Sequence, residues 1–393
     1  MRYYKFTFLP PVPTTSNPNP QQSPTKELQR VLTPGGSELV TLGNGQQQRV
    51  QTWVLESTTP SALQVELNCM LGGGALNIQD LGSNYVKIWG WPPEVIAGIA
   101  SLNNWTIRVQ AGFDANSLPL GKALNALPGS GNTIIEGTIN FPYGNAIRPE
   151  FVVTLPIARS VVNDQVQAPT GNSAPLFLGK KGERLSDVLN RTFQVYYPGL
   201  QTQVVLTDSI VLTENLQHAI SSLQDLTNMA NTLSKACLRS QYPSYPGAIG
   251  RFVGNKFVLT DSIAALGQPS KLINTVDMIG PPQYIDGSSV HVSCPMRADI
   301  RCLDVIELKD PNLSLVASVN SSAGITSLGW PQTLVGKFQV LSVQHVGNNR
   351  APDGTGWATH LMINALPIKD SDVGKPFGSQ GAQAAAPQTF GNN

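Results

Sequence analysis

Six short segments between Gln51 and Ile157 constrain this chain most: QTWVLES, ALQVELNCML, YVKIWG, NWTIRVQAGF, TIIEGTINF and EFVVTLPI. In each, apolar residues recur with a period near two, and Gly, Asn or Pro separates one segment from the next. That period puts one side of each segment in a core, so the region must be built of short strands. Strands so spaced predict a barrel or a sandwich. Tyr3–Leu9 alternates in the same way and is the expected first strand, whereas PPVPTTSNPNPQQSPTKE after it sustains neither helix nor sheet. Within the β region only PPEVIAGIAS reads differently, as a single helical turn opened by proline.

The middle of the chain changes period. GERLSDVLNRTFQVYYPG places Leu185, Val188, Leu189 and Phe193 on one helical face and stops at Pro198-Gly199. SSLQDLTNMANTLSKACLR does the same with Leu223, Leu226, Met229, Ala230, Leu233 and Cys237, with Ser222 and Asp225 placed close to a capping box. QTQVVLTDSIVL reads as strand, and RFVGNKFVLTD as a strand pair. Strand patterning then resumes in SSVHVSC, DVIELKD, GKFQVLSVQHV and GWATHLMINAL. The last residues, GSQGAQAAAPQTFGNN, are too poor in bulky apolar side chains to fold alone.

Charge narrows the function. Asp, Glu, Lys and Arg make up 13% of the 393 residues, and the net charge is +1. A nucleic-acid binder normally shows a basic stripe, so that class is disfavoured, although a neutral channel that DNA merely passes is compatible. A surface this neutral suits permanent protein interfaces better than a solitary monomer. The sequence has no apolar run near the ~20 residues that span a bilayer, and MRYYKFTFLPPVP lacks the core and cleavage site of a secretory signal. Cys69, Cys237, Cys294 and Cys302 are scattered without a CxxC, which predicts reduced thiols rather than zinc or disulfides.

His345 and His360 are the sharpest chemical candidates, because imidazole titrates near neutrality and ligates metals. A metal site needs three or four ligands; the nearest carboxylate is Asp353, and no HExxH or HxH spacing exists. The glycine-rich LGGGALN, Leu71 to Asn77, lacks the Lys-Ser/Thr of a phosphate loop and reads as a turn. There is no GxSxG elbow. Glu66, Glu94, Glu136 and Glu150 are isolated, so spacing cannot pair them as glycosidase acids. Trp89, Trp91 and Trp105 could stack sugars or bases, but packing at the edge of a core is commoner. The expectation is no catalytic, cofactor-binding or metal residue.

The order of the elements carries a resemblance. VKIWGWPPEVIAGIASLNNWTIRVQAGF followed by IIEGTINFPYGNAIRPEFVVTLPI resembles the first β-barrel of baseplate hub proteins of contractile-tailed bacteriophages, with Ala111-Gly112 and Gly137-Thr138-Ile139 at the shared positions. RFVGNKFVLTD resembles the hub middle domain. CPMRADIRCLDVIEL, then the hairpin from Phe338 to Leu366 with Val343, His345, Gly347 and Trp357, resembles the last hub barrel. The Pro-rich segment at 10–35 and VASVNSSAGITSLGWPQT at 316–333 depart from that pattern.

The resemblance implies a mainly β chain, two β-barrel tube-type domains flanking a small mixed α/β module. The expected borders are 1–9 with 36–160 for the first barrel and 10–35 for an extended arm. The module would span 161–275, the second barrel 276–368 with an insertion near 310–334, and the tail 369–393. It further implies a non-enzymatic homotrimer in the virion, made in the host cytoplasm. The trimer would join the six-fold tail tube above to a three-fold spike below, among other baseplate proteins, with DNA only in passage and no membrane insertion. The hairpin would then close a structural barrel. The competing expectations are a virion-borne or secreted carbohydrate-processing enzyme with a β-rich catalytic domain, marked by converging carboxylates, and a lectin-like binder, marked by an exposed aromatic platform.

Overall fold

The computed structural model describes residues 2–11, 23–41, 47–58, 63–72, 84–113, 133–147, 150–158, 176–198, 200–242, 245–253, 256–285, 289–308, 336–352 and 356–366. The described fold is mainly β. The first region supplies β1 (Arg2–Leu9), β2 (Thr33–Thr41), β3 (Gln47–Glu56), β4 (Gln64–Leu71) and β5 (Tyr85–Trp89). It continues with α1 (Pro93–Ala97), β6 (Thr106–Phe113), β7 (Thr133–Ile139), β8 (Tyr143–Ile147) and β9 (Glu150–Ala158). All six quoted segments are strands, and α1 is the expected turn, entered through Pro92 with Pro93 inside it.

The middle contains β10 (Leu176–Gly179), α2 (Leu185–Tyr196), β11 (Gln201–Val205), β12 (Leu216–Ala219), α3 (Leu223–Leu238), β13 (Ile249–Val253), β14 (Lys256–Thr260) and α4 (Ser262–Ala265). α2 buries the four residues expected of it. The Ser222 hydroxyl accepts from the Asp225 N–H at 3.1 Å. The Asp225 carboxylate reaches one residue further back than a capping box, to the Ser221 N–H at 3.0 Å. β13 and β14 form the expected antiparallel pair, and β11 adds to β14 in parallel. Of QTQVVLTDSIVL only β11 is strand. The module has its own core, with Phe193, Leu226, Phe252 and Phe257 at its centre.

The last region runs β15 (Ser270–Ile273), β16 (Gln283–Tyr284), β17 (Ser289–Pro295), β18 (Val305–Leu308), β19 (Gly336–Asn348) and β20 (Trp357–Ala365). β15 pairs with β18, so residues 270–273 join the last β region rather than the module. β19 is the hinge of the architecture. It pairs with β20 along its length; on its other side it holds β18 through Gly336–Gln339 and β4 through Val343–Asn348. A bulge between Val340 and Ser342 accompanies the change of partner.

The β4–β19 ladder therefore joins both β regions in one sheet, ordered β16-β17-β20-β19-β4-β5-β9-β7-β6-β1-β3-β2. Among the described strands no ladder closes this path into a barrel. Side chains nevertheless bring distant strands together. Strands lie about 4.8 Å apart, so β1, five steps from β4, would sit roughly 24 Å away in a flat sheet. Instead the Tyr4 hydroxyl donates to the Leu63 carbonyl, at the start of β4, at 2.8 Å. The Arg2 guanidinium likewise donates to the Asn348 carbonyl at 2.9 Å. The sheet curls back upon itself around one core that mixes Tyr4, Phe6 and Phe8 with Val343, Trp357 and Leu361.

Part of the expected arm belongs to that core. Residues 12–22 lie outside the described residues, but Leu28 and Leu32 are fully buried in the main cluster. Leu28 opens a single 3₁₀ turn, Val31 packs beside it, and β2 begins at Thr33. The apolar spacing of Leu28, Val31 and Leu32 explains the docking, since residues three and four apart share a helical face. The segment 316–333, Asp353, residues 73–77 of the glycine-rich turn, and the tail 369–393 lie outside the described residues.

Candidate functional site

The inward face of the last hairpin holds the residues that carried the resemblance. Val343, His345 and Gly347 alternate along β19, opposite Leu361, Thr359 and Trp357 on β20 and Leu71, Cys69 and Leu67 on β4. A Cβ at Gly347 would come within 2.6 Å of the Trp357 ring, so only glycine lets the indole lie flat on the strand. Gly137 meets the same limit against the Ala158 carbonyl, where β7 and β9 touch.

His345 is 1% exposed. Its Nδ1 lies 2.9 Å from the Thr359 hydroxyl, whose oxygen also accepts from the Arg297 N–H at 2.9 Å. Arg297 and Asp299, both buried, form a two-pronged ion pair: Nε to Oδ1 at 3.0 Å and Nη2 to Oδ2 at 2.7 Å. The remaining guanidinium arm donates to the Leu272 carbonyl at 2.9 Å. Lys271 donates to the Asp299 carbonyl and binds the Asp304 carboxylate at 2.6 Å. The segment CPMRAD is thus the polar pin between β17, β15 and the hairpin. Burial drives the His345 imidazole down to about 3, and the Asp299 charge only partly opposes it. At neutral pH this buried imidazole is therefore uncharged and packs against Thr359 and Cys69 at the base of a recess.

His360, the other candidate, points to the opposite face. It pairs with Gln344 while His345 pairs with Thr359, and a period of two separates them. Its Nδ1 lies 2.8 Å from the Ser293 hydroxyl, and its ring stacks on His291 with centroids 5.5 Å apart. The two histidines singled out by sequence therefore do not meet. The one that does meet His360 is His291, legible in VHVSC as the residue sharing a phase with Ser293. Ser293 and His360 have the separation of a nucleophile and base, yet the aromatic neighbour of His360 is an imidazole rather than a carboxylate.

Among the acids singled out, Glu136 of β7 is drawn toward Glu38 of β2 by Arg108, which binds them at 2.8 and 2.9 Å. Glu66 on β4 binds Lys87 at 2.7 Å, and Glu136 on β7 binds Arg108 at 2.8 Å. Three strand steps separate β4 from β7. That is about 14 Å along the sheet, and each carboxylate is neutralised by its own cation. Glu94 and Glu150 are exposed on α1 and at the start of β9. A recess of about 250 Å³ between module and sheet is lined by Phe252, Ile300, Arg301, Cys302, His345 and Glu136, the one carboxylate among its described lining residues. Trp91 and Trp105 are fully buried and offer no platform, and Trp89 is half-buried on β5. Cys69, Cys294 and Cys302 are buried and Cys237 is half-buried, all four unbridged. Among the described residues no group of three or more His, Cys, Asp and Glu side chains could hold a metal ion.

Among solved structures, the chain is similar to the 43 kDa tail protein of prophage MuSo2 from Shewanella oneidensis, at 8% identity and a TM-score of 0.42, over 86% of this chain and 98% of that one. It is similar to a tail protein from Neisseria meningitidis MC58, at 10% identity and a TM-score of 0.39, over 86% and 98%. Prophage tail protein gp18 from Listeria monocytogenes EGD-e follows at 6% identity and a TM-score of 0.32, over 84% and 94%. No protein-family model matches the chain, and no curated protein matches it in sequence.

Proposed function

We propose that the chain is a structural protein of a contractile phage tail, the baseplate hub whose homotrimer joins the six-fold tube to the three-fold spike. The observation that carries this reading is the β4–β19 ladder. It fixes two β regions in one sheet in a set geometry; in the hub reading each region is one unit, and three chains supply six. Consecutive strands β4-β5-β9-β7-β6-β1-β3 form one unit and β16-β17-β20-β19-β18-β15 the other, counts within the range of small barrels. The Tyr4 hydroxyl bond to the Leu63 carbonyl draws β1 toward β4, which supports a barrel-like first unit.

Two further features support the assembly. The edge strands β2, β8 and β15 and the end of β16 expose Leu39, Tyr143, Leu272 and Ile285, and Phe141 beside β8 is 82% exposed. Apolar side chains on open edges need a partner, and a ring of repeated heterologous contacts supplies one. The half-exposed face from β17 to β5 is neutral, its Lys87 closed by Glu66. Such a face lines a channel that DNA crosses without being gripped. Negative-stain microscopy of the purified chain tests the reading. Class averages with three-fold symmetry and six lobes around an opening are expected; isolated lobes or two-fold particles overturn it.

A further inference from the structure

On the half-exposed face of the last β region, four side chains form a square: His291 and Ser293 on β17, Met362 and His360 on β20. The register sets His291 directly opposite Met362 and Ser293 directly opposite His360. Across the diagonal the two imidazoles are nearly parallel, at 16°, with centroids 5.5 Å apart. Ser293 occupies one ring nitrogen of His360 at 2.8 Å. Where that nitrogen donates to the hydroxyl, Nε2 keeps its lone pair, the arrangement by which a second hydrogen bond orients a metal-binding histidine.

We propose that His291, His360 and Met362 form a binding site for a soft, late first-row metal ion, Cu(I) foremost, with Ser293 orienting His360. The ligand chemistry selects the ion. The square holds two imidazoles, a thioether and a hydroxyl and no carboxylate, so it offers nothing to Mg²⁺ or Ca²⁺, which take oxygen ligands. Zinc accepts imidazole but is usually held by three or four His, Cys or carboxylate ligands, of which the square has two. Thioether favours Cu(I), and an uncharged ligand set suits a monovalent ion. Binding requires His291 to turn out of its parallel stack on His360, which Ser293 holds, so that one nitrogen of each ring faces the ion. This site does not depend on the hub reading, because all of its ligands come from one chain.

Anaerobic titration of the full chain with Cu(I) against a chromophoric Cu(I) chelator tests the site, in a Cys237→Ser background that removes the half-buried thiol. One equivalent of Cu(I) should be withdrawn from the chelator. His291→Gln, His360→Gln and Met362→Leu should each weaken binding by about tenfold or more, while His218→Gln leaves it unchanged. X-ray absorption of the Cu(I)-loaded chain supplies a reading independent of these substitutions, with two nitrogen neighbours and one sulfur expected. No Cu(I) uptake, uptake unchanged in the two histidine variants, or an all-sulfur shell would overturn the proposal.

Discussion

The Trp357 indole N–H donates to the Gly112 carbonyl at 2.8 Å, across 245 residues of sequence. The two strands concerned, β20 and β6, stand six steps apart in the sheet. A flat sheet would hold them about 29 Å from each other. This bond thus records the curl that brings the first and last β regions round a common core. Trp357→Phe keeps the ring on Gly347 but leaves the Gly112 carbonyl buried and unpaired. We expect a loss of about 2–4 kcal/mol, read as a lower urea midpoint with an unchanged slope.

The Arg297–Asp299 pair is a buried charge pair in which each partner needs the other. Asp299→Ala strands the guanidinium in the core and should cost about 3–5 kcal/mol. Arg297→Met together with Asp299→Leu removes both charges at once and should recover most of that loss. Chemical denaturation of the single and double variants checks it; a double variant as unstable as Asp299→Ala would show that the pair is a net source of stability.

His345 makes the chain acid-sensitive. Its imidazole titrates near 6.5 when unfolded and is driven to about 3 by burial in the fold. Between those values the unfolded chain binds a proton that the native chain does not, so stability is complete above about pH 6.5 and falls as pH drops toward 3. The slope from this group is at most about 1.4 kcal/mol per pH unit. Burial lowers His291 and His360 as well, adding in the same direction. His345→Gln should flatten the pH dependence of the melting temperature between pH 4 and 6. An unchanged slope would count against a buried neutral imidazole.

Ser222 caps α3 in a module with its own core. Ser222→Ala should cost about 1 kcal/mol. The effect should appear in hydrogen exchange as faster opening of Leu223–Leu238, while β19 and β20 keep their protection. Equal loss in both places would mean that module and sheet unfold as one.

Much of this architecture was legible because the signals are local. Alternation placed β1, β3–β7, β9 and β17–β20, and helical spacing placed α2 and α3. What escaped either lacks alternation of its own or depends on partners distant in sequence. β8, YGNAI, and β2, with Pro34, Gly35 and Gly36 at its start, have weak strand patterns and exist because β9 and β3 offer ladders. Leu28 and Leu32 sit in a polar, proline-rich segment whose composition hid a buried turn. In the hairpin, spacing identified two histidines but not their faces: His345 and His360 diverge, and His360 meets His291 from a strand 67 residues away from its own, counting from Ser293. The joining of both β regions through β4 and β19 has no local signature at all.

A hub that joins a six-fold tube to a three-fold spike must assemble into threes. Mass photometry of the purified chain, alone and mixed with tail-tube and spike proteins, measures that assembly directly. We predict a dominant species of three times the 42.0 kDa chain mass, weakened when Phe141 and Ile285 are both replaced by Ser. A monomer under both conditions, or a dimer, would contradict the hub and leave the curled sheet in need of another role.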